Sequence, residues 1–334
     1  MSRDLGIDLG TASTLVYASG RGVVLHEPSV VALDLRNGAV VALGREAEAL
    51  LGRGPAHIEA VRPLRHGAIV DFDVTQRLLR LLSERAGVSR FHRARVVICV
   101  PSALTEVERR AVLEAARRAG ASDARLLDQP MAAAIGAGLP VNEALGTMVV
   151  DVGAGKTEAA VLSLGGAVAS RAVRVGCFDF DTAIQTWMRR AHGLAVPERT
   201  AEEIRRTVGS AAPVADEVDA EVRGLDVTTG VPRHVEVDVE EIRQAMAEPL
   251  AAMCGAVVSC LGATPPDLAH DLVDQGIHLV GGGSLVAGID TRLAEETGLA
   301  VRRVAAPLEA VVLGAGRCIE SDDAFRAVLA GGQR

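Results

Sequence analysis

The sequence predicts an α/β protein built from two similar halves, and three observations lead there. First, Gly6-Ile7-Asp8-Leu9-Gly10-Thr11 is restated later as Val149-Val150-Asp151-Val152-Gly153-Ala154-Gly155. Each copy is an apolar strand running through Asp-x-Gly into a second strand. A β-hairpin of that kind presents backbone N–H groups and one carboxylate to a phosphate. Second, a further glycine cluster, Leu279-Val280-Gly281-Gly282-Gly283-Ser284, supplies main chain that lies flat against a base or ribose. Third, strands and helices alternate within each half, the pattern of an α/β fold with a duplicated domain. Paired hairpins imply two halves closing on a phosphate tail, as in a nucleotide clamp.

Bulk properties narrow the classes. A length of 334 residues suits two domains with two cores. Apolar residues at 49% and charged residues at 23% are ordinary for a soluble globular protein. Aromatics reach only 2%, so Ala, Val and Leu must pack the interior and nucleic acid is not held by stacking. The net charge of −8 also opposes a nucleic-acid partner. The five cysteines are odd in number and form no C-x-x-C, which reads as buried thiols in a reducing cytosol. The histidines show no i, i+4 pairing, so no histidine metal site is expected. Arg3 and Asp4 lead straight into the first strand, so no signal peptide is expected. The longest uncharged stretch, Pro249 to Pro266, reads as a core helix and not a membrane span.

The elements follow in order. Leu5 to Tyr17 is strand, Gly-Thr turn, strand; Val23 to Leu33 and Ala39 to Leu43 continue the β pattern across Arg36-Asn37-Gly38. Thr75 to Ala86 carries leucines at helical spacing. Arg95 to Val100 is a buried strand halted by Pro101. Thr105-x-x-Glu108 is a capping box opening a helix whose buried face is read as Val107, Ala111, Ala115 and Ala119, with Gly120 ending it. Ala124 to Leu127 is a strand leading into the helix Met131 to Ala137. Leu139 to Glu143 reads as the hinge, and Thr147 to Leu164 restates the first strands. Thr200 to Val208 is a charged helix, Val214 to Val239 a surface sheet, and Val239 to Leu261 helical. Gly276 to Val280 is a strand, and Gly314-Ala315-Gly316 opens a last helix.

Gly155-Lys156-Thr157 mimics the end of a P-loop. That motif needs glycine where this chain has Val150, and a helix where it runs Glu158-Ala159-Ala160-Val161 as strand, so the P-loop is set aside. Sugar and acetate kinases of related architecture need a substrate domain, and no insertion is large enough.

Several ordered blocks resemble the actin-like ATPase superfamily, and within it the bacterial shape-determining MreB family. They are Asp8 to Ala12, Glu27 to Val31 with Asn37-Gly38, Val61 to Gly67, Val100-Pro101 with Thr105 to Arg110, and Pro130 to Gly136. Glu198 to Ile204, Thr264 to Pro266 and Gly281 to Leu285 follow in the same order. The resemblance implies duplicated actin-like (ribonuclease H-like) domains with a nucleotide cleft between them. The first half would span 1–140, with a small subdomain at about 32–64. The second would span 141–334, with a small subdomain at about 180–240 and a last helix returning to the first half.

The resemblance further implies ATP with Mg²⁺ as cofactors. By position, Thr11, Ala12 and Ser13 meet the phosphates from one hairpin, and Gly153, Ala154, Gly155, Lys156 and Thr157 from the other. Asp8 and Asp151 hold the metal through water. Glu202, Glu203, Ile204 and Arg205 flank ribose and base, and Gly281, Gly282, Gly283, Ser284 and Leu285 complete the adenine pocket. The implied setting is cytoplasmic, peripheral on the inner face of the plasma membrane. There the chain would assemble with itself into paired protofilaments and meet inner-membrane cell-wall elongation proteins. Phe91, flanked by Arg90, Arg93 and Arg95, is a candidate contact to an anionic membrane surface; an inward-packing Phe91 is the alternative.

The hydrolytic positions depart from the family pattern. Gln129 replaces a glutamate that orients water, and an amide holds a water without accepting its proton. Lys156 stands where the family has threonine. With Asp151 these are the catalytic candidates, altered enough that turnover would be slow. The competing expectation is a non-hydrolysing scaffold that co-assembles with a fuller relative.

Overall fold

The structure is a computed structural model and describes residues 4–87, 94–215 and 217–320. The chain divides into two compact units. One comprises Met1–Leu145, Leu162–Val168 and Leu308–Arg334; the other comprises Gly146–Val161 and Ala169–Pro307.

The first unit is organised by a five-stranded sheet in the order Asp123–Asp128, Arg95–Val100, Leu5–Leu9, Ser13–Ala18, Gly22–Pro28. Leu5–Leu9 runs antiparallel to Ser13–Ala18 and parallel to Arg95–Val100. The central strands Leu5–Leu9 and Arg95–Val100 are apolar and buried along nearly their whole length, as strands covered on both faces are. Phe72–Arg85 and Glu106–Ala119 contribute Leu78, Leu79, Leu82, Val112 and Ala115 to one continuous core. Thr105 and Glu108 form the expected capping box: Glu108 N–H donates to Thr105 Oγ1 (3.3 Å) and Thr105 N–H to Glu108 Oε2 (2.8 Å). A small sheet of Ala39–Leu43, Val31–Asp34 and Ile58–Val61 carries its own cluster of Val30, Ala32 and Ala47.

The second sheet repeats the first. Its order is Gly166–Val173, Thr157–Ser163, Thr147–Val152, Ile277–Val280, Val301–Arg303. Again a three-strand meander is followed by two strands parallel to its first member. The core of this unit gathers Met148, Phe180, Ile184, Met188, Leu250, Met253 and Leu293. Leu194–Ala195, Ala220–Asp226 and Pro232–Val237 make a separate three-stranded sheet. This duplicated order, with its helices, is the α/β class the hairpin repeat predicts.

The structure corrects four local readings. The helix Glu106–Ala119 buries Val112, Ala115 and Ala116, whereas Val107 is 77% exposed. Positions four apart drift about 40° per step, so a strict i, i+4 series leaves the buried face. The span Val239 to Leu261 is two helices, Val239–Ala245 and Ala247–Gly262, bent by 57°. Pro249 lacks an N–H and its ring opposes the carbonyl of Ala245, four residues back, which accounts for the break. Gly314-Ala315-Gly316 lies in the middle of the last helix, Ala310–Glu320, not at its start. Among the described residues of 214–239, the strands are Ala220–Asp226 and Pro232–Val237 and not one continuous sheet pattern. Among the described residues no single helix is long and apolar enough to cross a membrane. Pro249 to Pro266 instead supplies Leu250, Met253, Cys254, Val257 and Cys260 to the core.

Candidate functional site

Each unit carries a hairpin turn closed by the same hydrogen bond. Gly10 N–H donates to Ser13 O at 3.1 Å, and Gly153 N–H donates to Lys156 O at 2.9 Å. The carboxylates Asp8 and Asp151 stand two residues before these glycines, each on the strand that enters its turn.

In the first unit, Thr11 and Ala12 lie beyond the strand ladder, whose last pair is Leu9 with Thr14. The turn is braced from outside. Ser29 N–H donates to Ala12 O (2.8 Å), Ser29 Oγ donates to Gly10 O (2.7 Å), and Gly67 N–H donates to Thr11 Oγ1 (3.0 Å). The Glu27 to Val31 and Val61 to Gly67 blocks thus hold the turn in shape. Gln129 opens the helix Gln129–Ala137 and donates from Nε2 to Asp8 Oδ1 at 3.0 Å. It is buried, and its Oε1 has no hydrogen-bond partner among the described residues.

In the second unit, Asp151 is buried at the end of Thr147–Val152. Burial raises its pKa; Lys156 pulls it down and Glu158 pushes it up. Lys156 donates its ammonium to Glu158, which sits fully buried on the next strand. Thr157 Oγ1 donates to Val175 O at 2.9 Å. That strand, Thr157–Ser163, replaces the helix a P-loop needs.

The helix Cys177–Ala191 docks its first turn on the hairpin. Cys177 N–H donates to Gly153 O (3.1 Å) and Phe178 N–H to Ala154 O (2.8 Å). A Cβ on Gly176 would stand 2.6 Å from Gly153 O, so only glycine allows the approach. The same helix carries Asp181, whose Oδ1 accepts from Arg205 Nε at 2.6 Å. Burial pushes the Asp181 carboxyl up to about 6 even with this partner, which pulls the other way.

Arg205 is therefore buried and tied to Asp181, with Glu202 Oε1 4.0 Å from its Nη2. The four candidates on Glu198–Thr207 do not share a face. Ile204 belongs to the core, Glu203 is exposed and Glu202 is half-buried. The segment after this helix pairs with the segment after the glycine cluster: Ala211 N–H donates to Ala287 O (2.7 Å) beside the Ser210–Ala287 bridge.

Gly281 has φ +81°, and a Cβ there would collide with Asp151 Oδ1 and Val152 O. Gly282 and Gly283 continue in a short 3₁₀ turn ending at Leu285, which is half-exposed, and Ser284 Oγ donates to Gly281 O at 2.6 Å. The second unit thus gathers Asp151, the 153–157 turn, Arg205 and the 281–285 turn around one end of its sheet. Ser29, Gly67, Glu158 and Asp181 support these groups, and sequence reasoning alone misses them. A lone charge inside an otherwise apolar strand was the available signal for Glu158.

The model of the MreB/Mbl protein family matches residues 2–327. The chain belongs to the MreB/Mbl family. That family comprises cell shape-determining, actin-like filament proteins. The cell shape-determining protein MreB of Escherichia coli K12 is 47% identical over 328 residues, covering 96% of this chain and 94% of the relative. The cell shape-determining protein Mbl of Bacillus subtilis 168 is 40% identical over 323 residues, covering 96% and 97%. Among solved structures, MreB5 of Spiroplasma citri bound to AMPPNP superposes with a TM-score of 0.92 at 31% identity, covering 99% of each chain.

Proposed function

We propose that this chain binds ATP with Mg²⁺ and assembles into membrane-associated filaments that organise cell-wall synthesis. The carrying observation is the pair of turns closed by one type of hydrogen bond, each two residues past a carboxylate. Such turns offer main-chain N–H groups to phosphate oxygens. In this reading the phosphate contacts are Thr11, Ala12 and Ser13 on the first turn and Gly153 to Thr157 on the second. The AMPPNP bound to the Spiroplasma relative supports a nucleoside triphosphate as ligand.

The residues fit the metal as well. Asp151 is a buried carboxylate whose charged form is disfavoured, and a nearby cation relieves that cost. Asp8 and Asp151 would hold a hydrated Mg²⁺ through its waters, since a hard cation prefers oxygen donors. Bound Mg²⁺ would neutralise phosphate charge. The Oε1 of Gln129, buried without a partner, has room in its hydrogen-bonding inventory for one water beside Asp8. An amide orients such a water but does not take its proton, so turnover is slow. Arg205, fixed by Asp181, and Glu202 line the ribose side, and Gly281 to Leu285 the base side.

Self-assembly is the activity of the family, and a peripheral position on the inner membrane face is our reading for this member. Phe91, the candidate lipid contact, lies outside the described residues.

Binding and assembly are tested together. Dialysed protein should bind a fluorescent ATP analogue, pellet at high speed with ATP, and show filaments by electron microscopy. Protein that neither binds nor pellets removes the proposal. The scaffold reading is favoured by Gln129 and Lys156, and phosphate release separates the two: assembly without turnover supports the scaffold.

A further inference from the structure

The second hairpin turn ends on a charge that the first one lacks. The matching hydrogen bonds put Lys156 where the first turn has Ser13. Its side chain is only 9% exposed, and its ammonium donates to Glu158, whose side chain is entirely buried. A buried ammonium is costly unless carboxylates face it. Two do so here. Glu158 lies on the strand leaving the turn and Asp151 on the strand entering it, next to each other in the sheet. Of the charges acting on Asp151, Lys156 outweighs Glu158. The cluster therefore holds a cation between two carboxylates, at the turn the nucleotide reading assigns to the phosphates.

Carboxylates alone at such a turn repel a polyphosphate, and a divalent cation ordinarily offsets that repulsion. We propose that Lys156 supplies from the polypeptide part of the positive charge otherwise supplied by Mg²⁺, so that this chain keeps its grip on a nucleoside triphosphate when divalent cations are removed. This rests on the nucleotide reading above and adds to it the role of one residue. Threonine, the residue of the resembling family at this position, has no charge to contribute. Glu158 holds the ammonium inside the turn, which keeps the charge near the phosphates.

The test measures the dissociation constant of a fluorescent ATP analogue by anisotropy, in excess Mg²⁺ and in excess EDTA. For the unaltered chain the constant should rise by no more than about threefold on chelation. For Lys156→Thr it should rise by at least about thirtyfold, and Lys156→Met, which keeps the length of the stem and loses only the charge, should behave like Lys156→Thr. A thirtyfold rise in the unaltered chain, or no difference between it and Lys156→Thr, overturns the proposal. Failure of the unaltered chain to bind even in Mg²⁺ overturns the nucleotide reading itself, a separate outcome. Should Lys156→Thr not fold, as a melting curve would reveal, the unaltered chain and Lys156→Met still decide.

Discussion

Gln129 and Asp8 form one donor–acceptor pair, and its polarity is testable. Replacing the amide by a carboxylate, Gln129→Glu, sets two like charges where the Nε2 to Oδ1 bond of 3.0 Å now stands. The new carboxyl's pKa rises above its unfolded value, so the variant's stability falls as pH rises through that range. Urea denaturation should show a deficit of roughly 1–3 kcal/mol at neutral pH that shrinks on acidification. A deficit independent of pH would contradict the pairing. Gly281 is the second residue-scale case. A methyl there needs a strained φ of +81° and meets the Asp151 carboxylate, so Gly281→Ala should cost about 1–3 kcal/mol in the same assay. Both residues were legible as special in the sequence. Their reasons were not, because the partners lie far away along the chain.

At the scale of elements, the capping box and the last helix behave differently. Thr105 and Glu108 satisfy each other's N–H groups, so Thr105→Ala should cost about 1 kcal/mol by urea denaturation. That device is local and could be read directly from four consecutive residues. The helix Ala310–Glu320 is held by close backbone approach instead. A Cβ at Gly314 would collide with the Ala132 carbonyl, and one at Gly136 with that of Ala310. Gly314→Ala should therefore cost more than the capping variant, roughly 3 kcal/mol, with a thermal midpoint lowered accordingly. A mild effect would show that the helices separate easily. Small residues in this run signal a crossing as readily as a helix start, and periodicity cannot tell which.

Across the whole molecule, all five cysteines are buried and unpaired in disulfides. Burial pushes the thiols of Cys177 and Cys254 up to about 11 and that of Cys318 to about 12. Only thiolate reacts, and at pH 8 a thiol of pKa 11 is ionised to about one part in a thousand. Native protein should resist alkylation, and mass spectrometry should find all five labelled only after denaturation. Rapid native labelling would mean that a core opens. The duplicated hairpins, the alternation of strand and helix, and the glycine cluster were all readable from local pattern, since backbone turns and burial periodicity depend on neighbours in sequence. Which face of Glu106–Ala119 turns inward, that Arg205 is claimed by Asp181, and that Lys156 is enclosed with Glu158 came only with the tertiary structure. Those outcomes are choices among partners distant in sequence, made by packing and by the need to pair every buried charge.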